Sequence, residues 1–287
     1  MNALLRMVQG SPEWHEHRKQ YRNASETAAV MGLSPWTTPH ELWLIKTGRK
    51  IVEETAPMRH GTQMEPAARA AFEEATGLIM QPQVVVDGTY SASLDGITLN
   101  GDTILEVKCP FKGQVSELWQ TVNAGTVPEH YRLQVQHQLM VSGATRAHLW
   151  VFDGKVGINT LIGSDQSTFE AIRLAWDAFQ PYLDNDTPPP LTDQDTKVRV
   201  DHAWREAAEV YRGWKSVIDE AQAKADAAKA TLIELATHSR EAGYGVAVTR
   251  YWKQGAVDYK KVTELQGVDL EQYRGAMREE VRVTVEK

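Results

Sequence analysis

Two short stretches, Ser93-Leu94-Asp95-Gly96 and Leu105-Glu106-Val107-Lys108, carry acidic and basic residues at spacings that could do chemistry. Side chains two apart on a strand point to the same face, so Glu106 and Lys108 project together. Asn100-Gly101 between the stretches is a strong hairpin signal, and a hairpin lets Asp95 converge on that pair. Two carboxylates with a backbone carbonyl form a hard oxygen donor set suited to Mg²⁺ or Mn²⁺. A lysine beside them can orient an attacking water or offset charge growing on a phosphate. Residue type alone equally admits a solvated hairpin whose opposite charges pair for little gain.

The elements that must position these residues read as a small mixed sheet flanked by helices, an α/β fold. A helix fits Gln63 to Thr76, with Ala67, Ala68, Ala71, Phe72 and Ala75 on one side and Gly77 as its stop. β-rich runs follow at 84–86, 93–98 and 103–107. Then come a helix from about Pro128 to Ser142, strands over 147–152 and 156–162, and a helix from about Asp165 to Leu183. Pro188-Pro189-Pro190 forbids helix and favours extended chain, which places a boundary between a domain over 1–190 and an extension over 191–287. In the extension, Tyr211, Trp214, Ile218, Ala221, Ala225, Ala228, Leu232 and Leu235 alternate steps of three and four, a heptad seam on a helix reaching from Asp201 to Ser239. That seam can pack on its own domain, which is the favoured reading, join subunits, or dock a partner. A short β segment with alternating Val246, Val248, Arg250 and Trp252 and a short helical tail complete the chain.

Bulk properties narrow the functions. The 287 residues carry a formal net charge of −7, split as 15 basic and 21 acidic side chains over 1–190 and 16 and 17 over 191–287. A nucleic-acid partner would therefore need a local basic groove, or metal ions supplying positive charge. The single cysteine, Cys109, excludes an internal disulfide and a cysteine zinc site, and its default role is a small buried hydrophobe. No stretch approaches a membrane span and the N-terminus lacks a signal h-region, so the expected location is cytoplasmic. His15-x-His17 and His130…His137 match no zinc spacing. Trp36, Trp43 and Trp119 could stack on unpaired bases, although such residues are more often core.

Further motifs stand around the hairpin in a fixed order. Trp14-His15-Glu16-His17-Arg18 is followed by Ser25-Glu26, then Gly61-Thr62-Gln63-Met64-Glu65, then the two hairpin stretches continuing into Cys109-Pro110. Tyr131-Arg132-Leu133-Gln134-Val135-Gln136 closes the series. This constellation, covering most of residues 10–165, resembles the PD-(D/E)xK nuclease superfamily and, within it, the lambda exonuclease and YqaJ-type phage recombination nucleases.

The resemblance implies a PD-(D/E)xK core and an Mg²⁺-dependent 5′→3′ exonuclease acting on double-stranded DNA ends, with Mn²⁺ able to substitute. Its products would be mononucleotides and a 3′ overhang, and it would serve phage recombination in a bacterial host. By the same implication Asp95, Glu106 and the Val107 carbonyl hold the metal, Glu65 completes a site for two ions, and Lys108 assists the nucleophilic water. Tyr131 and Gln134, three apart on one helical face, address that site, and Arg18, Ser25 and Ser93 hold a terminal 5′-phosphate. A single-strand annealing partner and a homotrimer are further implications. Taken by residue type, Arg18 could equally be a surface ion-pair partner, Ser25 a helix cap, Tyr131 core packing, Gln134 a link in a hydrogen-bond chain, and Glu65 a first-turn charge favoured by the helix dipole. A RecB-like nuclease, a sequence-specific endonuclease and a catalytically silent DNA-end-binding protein are the rival readings.

Overall fold

The computed structural model describes the backbone of residues 3–5, residues 10–256 in full, and beyond them 259–265, 267–268, 270–273, 275, 280 and 282–284. These fall into two units, Met1–Lys197 and Val198–Lys287.

The first unit is built on a mixed sheet. Its strands are β1 (Ala3–Leu5), β2 (Arg22–Asn23), β3 (Gln81–Asp87), β4 (Tyr90–Ile97), β5 (Thr103–Lys108), β6 (Arg146–Phe152) and β7 (Gly157–Gly163). They lie in the order β1-β3-β4-β5-β6-β7, with β2 alongside the start of β4. β5 and β6 are parallel, and the other neighbours on that path are antiparallel. A parallel pair requires a crossover, here made by α5 (Glu117–Asn123) and α6 (Glu129–Ser142).

Helices α1 (Pro12–Gln20), α2 (Thr27–Val30), α3 (Pro39–Lys46), α4 (Ala56–Thr76) and α7 (Gln166–Asp184) complete the unit. Leu139 and Val135 of α6 and Ile172 and Trp176 of α7 share one buried cluster with Leu94, Ile97 and Ile104 of the sheet. Ala68 and Phe72 of α4 share a second cluster with Leu105, Val107 and Trp150. Alternate residues of β5 therefore serve two cores, as expected for a strand covered on both faces.

Several boundaries differ from the sequence reading. α4 begins at Ala56 rather than Gln63, because Thr55 caps it through the Met58 amide and Pro57 stands in the first turn, where its missing N–H costs nothing. Gly77, in the left-handed conformation at φ 73°, does end it. Residues 191–197 go with the first unit, where Asp195 accepts a hydrogen bond from the Thr38 hydroxyl.

In the second unit, α8 (His202–Leu235) is a single helix of 34 residues that starts on the side-chain cap of Asp201. It has no buried residue, and Trp214 and Ile218 of its seam are exposed. It stops four residues short of Ser239, and Arg240–Gly243 (β8) pairs with Val246–Thr249 (β9) in a hairpin that the sequence shows only in its second half. Of the expected helical tail the structure shows single 3-10 turns at Tyr259–Lys261, Thr263–Leu265 and Leu270–Tyr273; residues 275, 280 and 282–284 are in no helix, and the others beyond 273 lie outside the described residues. Among the described residues no helix is long and apolar enough to cross a membrane.

One buried group makes α6 sensitive to pH. His137 is fully buried, and its Nδ1 lies 2.6 Å from the Thr27 hydroxyl of α2. Burial pushes its pKa down to about 3, against a smaller upward pull from the backbone of Arg22. Below the ordinary histidine value the unfolded chain takes up a proton that the native ring refuses, so stability falls with falling pH across that window. His137→Gln is expected to remove up to about 1.4 kcal/mol per pH unit of this slope, read by urea unfolding between about pH 7 and about pH 4. An unchanged slope would mean that the ring titrates as it does in water.

Candidate active site

β4 and β5 pair at Gly96–Leu105 and Ile97–Ile104 and then part. Where the next rung would fall, the Asp95 carboxylate replaces it, its Oδ2 accepting the Val107 amide at 2.7 Å. On the other side of β4, Gln81 pairs with Ile97 and Gln83 with Leu94, so β4 has one extra residue across Asp95 and Gly96. That is a β-bulge, which bends a strand and re-aims a side chain. Glycine is required there, because a Cβ on residue 96 would lie 2.5 Å from the Met80 Cβ.

α4 docks on the bulge. Arg69 donates to the Asp95 carbonyl at 2.9 Å and to Glu65 Oε1, one helical turn away, at 3.2 Å. Glu65 is thereby turned toward the strand that carries Asp95.

Glu106 is 2% exposed and its carboxylate is fully engaged. Gln134 Nε2 donates to Oε1 at 2.7 Å, Gln138 Nε2 donates to Oε2 at 2.6 Å, and the Lys108 ammonium stands 2.5 Å from Oε1. Lys108 Nζ also donates to Gln134 Oε1 at 3.4 Å and lies 4.9 Å from the centre of the Tyr131 ring. Tyr131, Gln134 and Gln138 form one stripe of α6, at steps of three and four.

The electrostatics follow from this crowding. Burial raises the Asp95 carboxyl well above its ordinary value, and the Glu106 and Glu65 charges push it further. Burial also raises Glu65, with Arg69 opposing it and Glu106 adding to it. Burial pulls the Lys108 ammonium down, but Glu106, Tyr131 and Asp95 together outweigh it and the net shift is upward. Cys109 is raised to about 11 by burial and by Asp95, so it stays a thiol. By charge and donor type, three crowded carboxylates beside one lysine suit a divalent cation, and Gln138 Oε1 is buried there without a partner among the described residues. The side chains are not preset as a ligand cage: among the described residues no three His, Cys, Asp or Glu stand as a ready metal cluster. Lys108 and Gln134 occupy Glu106 instead.

A second cluster adjoins the first. Arg18, on α1, donates to the Ser25 hydroxyl at 3.0 Å and to Glu26 Oε1 at 3.2 Å, and its guanidinium lies 4.7 Å from the Trp14 ring centre. The Trp14 indole N–H donates to the Ser93 hydroxyl at 2.8 Å. Lys46 of α3 closes on the other oxygen of Glu26 at 2.8 Å. The two clusters meet at Ser93, whose carbonyl accepts from the same Gln138 amide that reaches Glu106, at 3.2 Å.

The structure thus brings all the sequence-expected site residues into two joined clusters. Five further residues join these clusters, of which Lys46 carries no signal in the sequence. Trp14 and Glu26 lie inside quoted motifs but look like packing and surface charge. Arg69 carries a signal in its four-residue step from Glu65, and Gln138 in its four-residue step from Gln134. Gln136 turns away and anchors the neighbouring elements, donating to the Gly163 carbonyl at 2.7 Å and accepting from the Asp165 amide at 3.0 Å. Of the four histidines in the two pairs, His17 bonds Ser91 at 2.8 Å and His137 bonds Thr27, whereas His15 stands edge-on to Trp14 and His130 rests against the Tyr131 ring at 4.2 Å between centres.

Residues 13–145, the span holding both clusters, match the YqaJ-like viral recombinase domain. Over that span the chain is similar to the YqaJ-like family. A curated relative, the uncharacterized protein YqaJ of Bacillus subtilis (strain 168), is 30% identical over 138 residues, which are 46% of this chain and 42% of that protein. The chain thus spans less than half the length of this relative. Among solved structures, the alkaline exonuclease LHK-Exo of Laribacter hongkongensis superposes with a TM-score of 0.53 at 22% identity, covering 70% of this chain and 100% of that one. Its complex with dAMP gives a TM-score of 0.53 at 24% identity over 62% of this chain and 94% of that one. The fold of residues 13–145 is therefore that of an exonuclease of known structure.

Arg69 gives a direct test of how the site is assembled. Its removal leaves the Asp95 carbonyl and the Glu65 carboxylate short of a partner, so Arg69→Met should destabilise the fold by about 1–3 kcal/mol. Adding Glu65→Gln should recover part of that loss, a coupling that a double-mutant cycle in urea measures. Strict additivity of the two changes would mean that Arg69 and Glu65 do not act as a unit.

Proposed function

We propose that this chain is a divalent-metal-dependent 5′→3′ exonuclease that acts on double-stranded DNA ends and leaves 3′ single-stranded overhangs for recombination by strand annealing. The observation that carries this reading is the joining of the two clusters through Ser93. An oriented arginine and two hydroxyls suit a terminal phosphate, and they stand next to three carboxylates and a lysine suited to phosphodiester hydrolysis. An enzyme cutting within a duplex has no use for a terminal-phosphate pocket beside its carboxylates. A silent end-binding protein has no use for a buried Glu106–Lys108 pair. The exonuclease name of the Laribacter neighbour, and the nucleotide bound to it, agree with the reading.

Asp95, Glu106 and the Val107 carbonyl, with Glu65 from α4, would hold Mg²⁺ or Mn²⁺, with room in the donor set for two ions. When bound, such ions lower the pKa of water and neutralise charge on the phosphate. The chain's own groups do the rest. Arg18, Ser25 and Ser93 hold the end group and set which phosphodiester reaches the carboxylates. Lys108, kept protonated by Glu106, faces the charge that grows on the phosphate oxygens. Gln134 and Gln138 fix the Glu106 carboxylate, and Tyr131 limits where the lysine can swing. The same reading carries a homotrimer, a single-strand annealing protein as partner, and action in the cytoplasm of a phage's bacterial host.

End-labelled linear duplex, with and without 5′-phosphate, tests this in Mg²⁺. Asp95→Ala or Glu106→Ala should abolish digestion with the fold intact, and near-normal turnover by Asp95→Ala would sink the assignment. Lys108→Ala should lower turnover far more than DNA affinity, because its help is greatest in the transition state. Phosphorylated ends should be digested faster than hydroxyl ends, and Arg18→Ala should erase most of that difference while sparing slow cleavage of hydroxyl ends. Equal treatment of both ends by the unaltered protein would show that the Arg18 cluster has another purpose.

A further inference from the structure

The loop between α2 and α3 holds a tryptophan that neither cluster uses. Among the tryptophans of the first unit, Trp43, Trp119, Trp150 and Trp176 are buried and Trp14 is half-buried, whereas Trp36 is 65% exposed. A single exposed aromatic side chain is ordinary in itself. The position of Trp36 is not. Its ring centre lies 4.7 Å from that of His130 in an edge contact, and 5.9 Å from that of Tyr131, the ring against which the Lys108 ammonium rests. Anything lying on Trp36 is therefore a neighbour of the candidate active site.

The loop is also built to hold the indole out. The Ser34 hydroxyl accepts the amides of Trp36 and Thr37, each at 3.2 Å, and Thr38 caps α3 by accepting the Glu41 amide at 3.0 Å. Ser34 and Thr38 are both buried, so the exposed ring stands between two fixed points. A cavity of about 530 Å³ opens beside it, walled in part by Thr37, His40 and Gln194, whose side chains can donate and accept hydrogen bonds.

We infer that Trp36 is a stacking platform for an unpaired nucleobase of the strand being cut. The inference rests on the proposed exonuclease reading and deepens it. On this reading the terminal nucleotide leaves its partner before its phosphate reaches carboxylates as enclosed as Asp95 and Glu106, 7% and 2% exposed. Unpairing costs stacking energy, and an aromatic face restores it for any base, without sequence preference. Trp36 offers that face a ring away from Lys108, and the cavity gives the base edge room and hydrogen-bonding groups.

The test uses the full chain and a 5′-phosphorylated duplex carrying 2-aminopurine at one of its two 5′-terminal positions, first in EDTA and then in Mg²⁺. In EDTA, complexes of the unaltered protein and of Trp36→Phe should show quenched 2-aminopurine emission, and the Trp36→Ala complex should be several-fold brighter. In Mg²⁺, Trp36→Ala should digest paired ends roughly ten-fold more slowly, with Trp36→Phe close to normal. Thermal unfolding of both variants at the unaltered midpoint would confirm an intact fold. Emission and rate in Trp36→Ala equal to those of the unaltered protein would overturn the inference, as would a response only when the probe is on the complementary strand. Failure of the exonuclease reading looks different: the unaltered protein would then leave linear duplex undigested in Mg²⁺, whatever the emission shows.

Discussion

A carboxylate buried inside a protein must be given partners or lose its charge, and Glu106 imposes that demand on most of the first unit. Its two oxygens take three donors, one from its own strand and two from α6. α6 can supply them only by lying across β5, and it lies there because it is the crossover between the parallel strands β5 and β6. The helix is consequently buried around most of its circumference, with Leu133, Val135, Leu139 and Val141 in the interior. Its inward polar side chains each serve a neighbour: Gln134 and Gln138 the carboxylate, Gln136 the start of α7, His137 the α2 turn. An apolar helix would pack as well, but it would strip Glu106 of two of its three donors.

Asp95 meets the same demand differently. A regular β4 would continue its ladder with β5, and the carboxylate would stand clear of the backbone. The bulge at Asp95 and Gly96 breaks the ladder, and the side chain then caps the Val107 amide that the break has freed. The Asp95 carbonyl is recovered by Arg69 from α4. One irregularity thus turns the aspartate, docks the helix that carries Glu65, and brings acids from three elements together. The Val107 amide and the Asp95 carbonyl each have a side-chain substitute for the ladder, so the sheet departs from regularity there without orphaning either group.

The parts of this arrangement that depend on local periodicity were legible in the sequence. Alternation along 103–107, the Asn100-Gly101 turn and the three-residue step from Tyr131 to Gln134 place Glu106, Lys108 and α6 from local spacing alone. The bulge was not legible, since Gly96 reads as part of a turn and nothing in one strand reports its register against the next. Nor was the role of Trp14, whose hydrogen bond to Ser93 joins residues 79 apart in the chain. α4 began earlier than its apolar pattern because a cap and an early proline, rather than burial, start it. In the second unit the heptad seam predicted a long helix correctly, since propensity and spacing are local. What covers its apolar face is a question of tertiary contact, which spacing alone does not answer.

The acidity of the whole chain argued against a polyanionic partner, and the structure shows why that argument has little reach. Charges farther apart than about 8–10 Å are largely screened at ordinary ionic strength, so a phosphate responds to the groups beside it. Around Glu26 two cations, Arg18 and Lys46, face one anion, leaving a local excess of positive charge on a chain of net −7. Glu26 spends part of that charge to hold the Arg18 guanidinium in one orientation, with Ser25 beside it. In the neighbouring cluster the balance is reversed, as Glu65, Asp95 and Glu106 outnumber Arg69 and Lys108, and on the proposed reading bound divalent ions reverse it again. Recognition would then come from a few oriented donors, and the chain can remain acidic everywhere else without losing its hold on a DNA end.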